Sequence, residues 1–221
     1  HPAETGRGLV DVKMASMGAL EYIIEIKGKG PGPDADHTHA LYSNRFINAV
    51  DLGYKVIEGL RNWTNEMDKK HPHEKLNAYV GHSVGMGIGK FIAGQSNKSK
   101  ETALDCRIEG VFVFQPEVKL DEFKGGVIAE FDKIVKSDPW LAEGNATLIF
   151  GDQIDQGAQS DENHPLLKTA AATLKEITGK DTIMYYAHTT SDLRYPLLYW
   201  KGQALGFGPI AGNMGTENEW V

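Results

Sequence analysis

The chain has 221 residues and only one cysteine, Cys106, so no disulfide can form within it and its fold does not depend on an oxidising compartment. No apolar run approaches the roughly 20 residues that a membrane helix needs, and no secretory signal is visible. Basic residues are fewer than acidic ones, and the formal net charge is -7. These features argue against a membrane or nucleic acid as the main partner and favour a cytoplasmic location.

Several short catalytic motifs are also missing. The sequence contains no H-E-x-x-H and no paired C-x-x-C, so no zinc site is self-contained. The stretch 81–85, GHSVG, has its serine in the centre, as a nucleophile elbow would. It is predicted to lie within a strand rather than at a strand-to-helix turn, which argues against serine hydrolysis. Cys106 lies in an apolar run, which favours a buried core thiol over a nucleophile.

The most informative stretch runs from residue 20 to residue 50. Residues 20–27 predict a strand that is buried on one face, and glycines and prolines from Gly28 onward end it. A long amphipathic helix is predicted from near Ser43 or Asn44 to about residue 70. His37 and His39 lie in the loop between these two elements, where catalytic and binding residues are often found.

The elements that follow predict a known arrangement. Strands are expected at 78–88 and 102–114, joined as a hairpin by a polar turn, then a helix at 120–135 and a strand at 147–150. His82 falls on the apolar face of the first of these strands and is expected to be structural. The order strand, helix, strand, strand, helix, strand predicts a ferredoxin-like domain, with two helices on one face of an antiparallel sheet.

The last third of the chain has a different pattern. A helix at 166–178, closed by Gly179, and short strands at 182–186 and 203–207 favour an α/β arrangement that completes a larger sheet. The polar cluster HTTSDLR directly follows a predicted strand. In this cluster, Asp192 could orient a ligand and Arg194 could hold a carboxylate. The alternative is that Ser191 or Asp192 only caps the next helix.

Four stretches together resemble the co-catalytic zinc amidohydrolases that include acetylornithine deacetylase, succinyl-diaminopimelate desuccinylase, aminoacylase and glutamate carboxypeptidases. They are LEYIIEIKGKG…HTHALYSNRFINAV, GMGIGKFIAGQSNKSKETALDCRIEGVFVFQPEVKLDEF, HTTSDLRYPLLYWKGQALGFGP and AGNMGTENEWV. The resemblance implies a ferredoxin-like lid and dimerisation domain at 18–155, between catalytic-domain segments at 1–17 and 156–221. It also implies an α/β zinc-peptidase catalytic domain of which this chain supplies a C-terminal piece.

The resemblance further implies site residues. His39 matches the lid histidine that steadies the oxyanion in the partner subunit's site, with His37 as the competing assignment. Asn97, Arg194 and Asp192 are implied as substrate contacts, and His1 as a metal ligand. The implied cofactor is zinc, two ions per complete site. The implied substrate is a small N-acyl amino acid or peptide, and a homodimer through the lid is expected.

Three departures from the family pattern limit this chain on its own. The first half of the pattern, with its H-x-D strand and E-E pair, is not found. Val113 stands where an arginine is usual, and Gly215 where a histidine ligand is expected. We therefore expect a C-terminal piece that is inactive alone. The alternative is a non-catalytic ferredoxin-like dimerisation module with a degenerate metal site.

Overall fold

The computed structural model describes residues 6–30, 46–94, 100–186, 188, 190–213 and 216–221. The strands are β1 (Asp11–Lys13), β2 (Ala15–Ser16), β3 (Gly18–Lys27), β4 (Gly85–Ala93), β5 (Asp105–Phe114), β6 (Ala146–Asp155), β7 (Ala158–Gln159) and β8 (Ile183–Tyr185). The α-helices are α1 (Ala49–Lys70), α2 (Glu74–Val80), α3 (Leu120–Lys136), α4 (Pro165–Thr178) and α5 (Arg194–Tyr199). In the described residues no helix is both long and apolar enough to cross a bilayer.

A four-stranded antiparallel sheet of order β4-β5-β3-β6 forms the larger part of the fold. Helices α1 and α3 pack against each other over one face of this sheet. The order of strands and helices is that of a ferredoxin-like fold, with α2 added between α1 and β4. The predicted mixed α/β class and ferredoxin-like sheet are therefore confirmed.

Alternation along β3 explains why one face of the sheet is covered. Leu20, Tyr22, Ile24 and Ile26 are buried beneath the helices, whereas the residues between them face the other side. Burying each large apolar side chain contributes roughly 1.5–3 kcal/mol, so this face holds the helices in place. The helical partners in the same cluster are Leu52, Val56, Leu60, Phe123, Val127 and Phe131.

A second apolar cluster joins the beginning and the end of the chain. Strand β1 pairs in parallel with β8, and β2 pairs antiparallel with β7. Val12 and Met14 pack there with Leu167 and Leu174 of α4, and Leu76 of α2 joins them. Residues that precede the four-stranded sheet in the sequence and residues that follow it thus pack in one core.

The predicted strand at 78–88 is wrong over its first half. Residues up to Val80 belong to α2, which ends at Gly81 with a φ of 80°. The Asp68 carboxylate then accepts hydrogen bonds from the backbone N–H groups of Ser83 (2.5 Å) and Val84 (3.1 Å). Because these donors are already used, the strand begins only at Gly85. His82 consequently lies exposed in the connection rather than on a strand face.

Other boundaries also differ from the prediction. Helix α1 begins at Ala49, because the Asn48 side chain accepts a hydrogen bond from the Val50 N–H and caps it. Strand β6 continues to Asp155 through a bulge, beyond the predicted end at residue 150. Residues 203–207 form only an isolated bridge, between Gly206 and Lys13, instead of the predicted strand.

Candidate functional site

The structure describes two of the six predicted site residues. Arg194 and Asp192 lie in the described part of the chain, and His1, His37, His39 and Asn97 lie outside it. Residues that flank the segments with His37, His39 and Asn97 are described. These flanking residues define one end of the four-stranded sheet.

Lys29 and Ile47 lie on either side of the segment that carries His37 and His39. Lys29 and Ile47 exchange two backbone hydrogen bonds, of 2.9 and 3.0 Å. The chain therefore leaves β3 and returns to α1 at the same point. Gly28 permits this approach, because a Cβ there would lie 2.4 Å from the Ile47 carbonyl oxygen.

Ala103 and Leu104, which follow the segment that carries Asn97, lie beside this pair. The Gly28 N–H donates to the Leu104 carbonyl and the Ala49 N–H donates to the Ala103 carbonyl, both at 2.8 Å. Residues 103–104 lead directly into β5, which starts opposite Lys27 of β3. The stretches with His37, His39 and Asn97 thus start from one end of the sheet, which we call the loop end.

Arg194 lies at the opposite end of the sheet. Its Nη2 is 2.9 Å from Oδ1 of Asp155, the last residue of β6, and the two side chains are only 15% and 18% exposed. The Nη1 atom of Arg194 donates to the Ser191 carbonyl at 3.0 Å, and the guanidinium stacks 4.7 Å from the centroid of the Tyr195 ring. Helix α5 is thereby fixed to the end of β6, which we call the junction end.

Neither residue considered as a cap for α5 acts as its N-cap. Leu193 occupies that position, with no side-chain hydrogen bond. The Ser191 Oγ accepts from the Leu193 N–H at 3.3 Å, and the Ser191 N–H donates to Ser16 Oγ at 2.9 Å. Ser191 therefore shapes the turn and ties it to β2. Asp192 is exposed, which keeps its carboxylate accessible.

The junction end also holds polar groups that the sequence analysis missed. Gln153 Nε2 donates to Thr190 Oγ1 at 2.9 Å, linking β6 to the HTTSDLR cluster. Beside this bond is a cleft of about 390 Å³, which we call the apolar cleft. It is lined mainly by Met17, Leu76, Val80, Val111 and Val113. The only signal for it in the sequence is the alternation of glycines in GMGIG, which leaves side chains off one face of β4.

The two ends are well separated in one chain. Ala19 pairs with Asp155 at the junction end, and Lys27 pairs with Asp105 at the loop end. The eight residue steps of extended strand from Ala19 to Lys27 span roughly 27 Å. The residues that flank the segments with His37, His39 and Asn97 therefore lie at one end of the sheet, and Arg194 lies at the other.

The described residues do not form a metal site. No group of three or more His, Cys, Asp or Glu side chains in that part of the chain is placed to hold an ion. The predicted ligand His1 and the position of Gly215 both lie outside the described residues. The described part of the chain therefore does not by itself supply the donors of the implied two-zinc centre.

Comparison with known proteins identifies the fold. No protein-family model matches the sequence, and no curated protein matches it. Among solved structures, a tripeptidase from Staphylococcus aureus is 15% identical with a TM-score of 0.67, over 99% of this chain and 49% of that one. Aminopeptidase PepT from Bacillus cereus is 14% identical with a TM-score of 0.61, over 96% and 49%.

A third structure is a metallo-carboxypeptidase of the M20 family from Sulfolobus solfataricus. It is 13% identical with a TM-score of 0.61, over 92% of this chain and 53% of that one. This chain thus spans about half the length of the solved structures it matches. The neighbours are peptidases and amidases, and this chain has the fold of one half of them.

Proposed function

We propose that this chain is the lid and C-terminal catalytic portion of a zinc-dependent amidohydrolase or exopeptidase that hydrolyses N-acyl amino acids or small peptides. One observation carries the proposal. Nearly the whole chain superimposes on about half of a tripeptidase, and further neighbours are an aminopeptidase and a metallo-carboxypeptidase. The division into segments 1–17, 18–155 and 156–221 is part of the proposal. Two separate apolar clusters support it.

The separation of the two sheet ends supports a site shared between subunits. In this proposal His39, or His37 in its place, and Asn97 act from the loop end on the site of a partner copy. Arg194 and Asp192 contact substrate at the junction end of the other copy. His1 is the residue of this chain proposed as a ligand of zinc, two ions of which are expected per complete site. The expected cytoplasmic location stays a prediction.

An exposed edge of the sheet supports a homodimer through the lid. Strand β4 is the outer strand of the sheet beside α1, and Ile92 on it is 58% exposed. The neighbouring Phe91 ring lies 5.9 Å from the ring of Tyr54 on α1, which is also exposed. An outer strand with apolar side chains is suited to pairing with a second copy.

The same edge favours a second candidate function, a non-catalytic dimerisation module. Val113, where the resemblance leads one to expect an arginine, also favours it. Under this alternative the chain forms dimers and binds no metal, and no amide is hydrolysed. The two functions differ in metal content and in turnover, so one set of measurements separates them.

The first test measures zinc by elemental analysis in the native, full-length gene product and in this chain, together with hydrolysis of N-acyl amino acids. We expect about two zinc ions per subunit in the full-length protein, and hydrolysis. A full-length protein that is dimeric, free of metal and without hydrolase activity would favour the dimerisation module instead.

A second test addresses the shared site. The full-length variants His39→Ala and Arg194→Ala should each be inactive. After their subunits are mixed and allowed to exchange, half of the dimers carry one intact site, so about a quarter of wild-type activity should return. No recovery after verified exchange would contradict a site built from two subunits. The variant His37→Ala, tested in the same way, decides between the two histidines.

A further inference from the structure

One wall of the apolar cleft at the junction end is formed where β5 pairs with a glycine-rich part of β4. Val111 and Val113 of β5 lie opposite Gly87 and Gly85 of β4. The glycines themselves add no side chain to this face of the sheet, and the ring of His82 lies over Gly85. A Cβ at Gly85 would lie 3.3 Å from Cγ2 of Val113, which lines the cleft.

The remaining walls come from other elements. Met17 and Ala19, at the start of β3, are buried, and α2 contributes the buried Leu76 and the more exposed Val80. Apolar side chains from two sheet strands and one helix thus converge on a single cavity. A volume of about 390 Å³ is within the range of small-molecule sites, which are typically about 300–1,000 Å³.

Polar groups lie at the rim of the cleft. The ring of His82 lies on one side, and Gly85 lies beneath it, since an added Cβ would be 3.1 Å from His82 Nε2. The hydrogen-bonded pair of Gln153 and Thr190 lies on the other side. Among the described residues, none that lines the cleft is a lysine, arginine, aspartate or glutamate. The nearby Arg194 guanidinium is already paired with Asp155.

We propose that the apolar cleft binds an uncharged, apolar side chain or acyl group of an amide substrate, with its polar rim contacting the amide. The inference rests on the proposed function and specifies its substrate class. A carboxylate in the cleft would lose its hydration without gaining a cation, which is costly. A branched aliphatic group instead gains favourable free energy from each methyl and methylene group that it buries.

Binding to this chain can be measured without catalysis. The probes are N-acetyl-L-leucinamide, N-acetylglycinamide, which lacks the side chain, and N-acetyl-L-aspartate, which is charged. Methyl resonances of the valines and Met17 report on the cleft in NMR titrations. We expect saturable shifts with the leucine probe and an affinity at least tenfold weaker for the other two. Equal affinities, or leucine-probe shifts confined to methyl groups elsewhere, would overturn the inference.

Two variants sharpen the test. Gly85→Ala places a methyl group against His82 and Val113, two residues that line the cleft, and should weaken binding of the leucine probe at least fivefold. Val113→Arg should abolish that binding and let N-acetyl-L-aspartate bind. The matched control is Ile149→Arg, at an exposed position of the sheet outside the cleft, which should leave both affinities unchanged. If Val113→Arg does not fold, Gly85→Ala alone decides, and unchanged affinity in that variant contradicts the inference.

Failure of this inference is distinguishable from failure of the proposed function. If the full-length protein hydrolyses N-acyl amino acids but the leucine probe leaves the cleft resonances unshifted, the inference is overturned and the proposed function stands. If no hydrolysis occurs but the leucine probe shifts those resonances and Gly85→Ala weakens it, the cleft is a binding site of the predicted class. In that case the proposed enzymatic function is contradicted, and the inference about binding in the cleft stands.

Discussion

Arg194 and Asp155 form an ion pair, with 2.9 Å between Nη2 and Oδ1, that joins α5 to the last strand of the four-stranded sheet. Both side chains are largely shielded from water, so loss of either partner leaves the other poorly satisfied. The pair brings together residues on either side of α4, and it lies beside the apolar cleft. It is therefore one of the polar links at the junction end.

We predict that Asp155→Asn lowers the free energy of unfolding by about 1–3 kcal/mol, because the buried guanidinium loses its counter-ion. Urea denaturation followed by circular dichroism measures this. Asp181→Asn is the matched control. Asp181 pairs with Lys175 at an exposed position, where solvent screens the interaction, so the effect of this variant on the free energy of unfolding should be much smaller. Equal, small changes in the free energy of unfolding for the two variants would mean that the ion pair between Arg194 and Asp155 does not stabilise the junction end.

A second prediction concerns acid sensitivity at the contact between α1 and the turn that follows α3. Asp138 accepts hydrogen bonds from Lys55 Nζ at 2.9 Å and from the N–H groups of Trp140 (2.9 Å) and Leu141 (3.2 Å). Burial acts to raise the pKa of Asp138, but these hydrogen bonds outweigh it and hold the pKa below its usual value. The charged form is therefore favoured in the folded protein.

Because the pKa is lowered, the stabilisation is fully present above the ordinary aspartate value of about 4 and is lost as pH falls through the lower folded value. We expect Asp138→Asn to be less stable than wild type by about 1–2 kcal/mol at pH 7, with the difference shrinking below about pH 4. Urea titrations across pH measure it. Asp132→Asn, at an exposed position of α3, is the control. A difference that does not change with pH would argue against this account.

The third prediction concerns Cys106, which is buried in the sheet core as predicted. Burial raises the pKa of its thiol to about 11, so little reactive thiolate forms near neutral pH. Labelling by a water-soluble thiol reagent at pH 8 should be at least about 100-fold slower in the native protein than in guanidinium. Rapid labelling of the native protein would show that the core opens easily.

The fourth prediction compares two glycines. A Cβ at Gly110 would lie 2.1 Å from the Gly87 carbonyl oxygen and 2.5 Å from the Tyr22 hydroxyl, which donates to that carbonyl at 3.0 Å. Gly110→Ala should therefore destabilise the protein by about 2–4 kcal/mol in chemical denaturation. Gly125→Ala, in open space on α3, should instead stabilise it by about 0.5–1 kcal/mol. Changes of opposite sign in the free energy of unfolding of the two variants would confirm that the strands approach closely at Gly110.

The order of elements between residues 18 and 155 could be predicted because apolar periodicity marks β3, α1, β5 and α3 clearly. The boundaries that failed depend on distant side chains. Asp68 delays the start of β4, and Glu21 accepts the N–H groups of Asp152 and Gln153 in the bulge that lets β6 continue. Neither contact leaves a local pattern in the sequence.

The candidate site was predictable to a smaller extent. The residue types of the HTTSDLR cluster pointed to Arg194, but its partner Asp155 was missed because the strand was predicted to end earlier. The apolar cleft depends on the register between β4 and β5, which a sequence alone does not specify. Whether His37 or His39 is the lid histidine stays a prediction.

The pairing of β1 with β8 also bears on how the chain folds. The partners Asp11 and Ile183 are about 170 residues apart, so closing this contact in an unstructured chain has a large entropic cost. The β4–β5 hairpin is local and can form early. Once the four-stranded sheet exists, its first and last residues are neighbours, and the effective length of the loop to be closed falls sharply. We therefore expect the four-stranded sheet to form first. The pairing of β1 with β8, and with it the second core, should form late in folding.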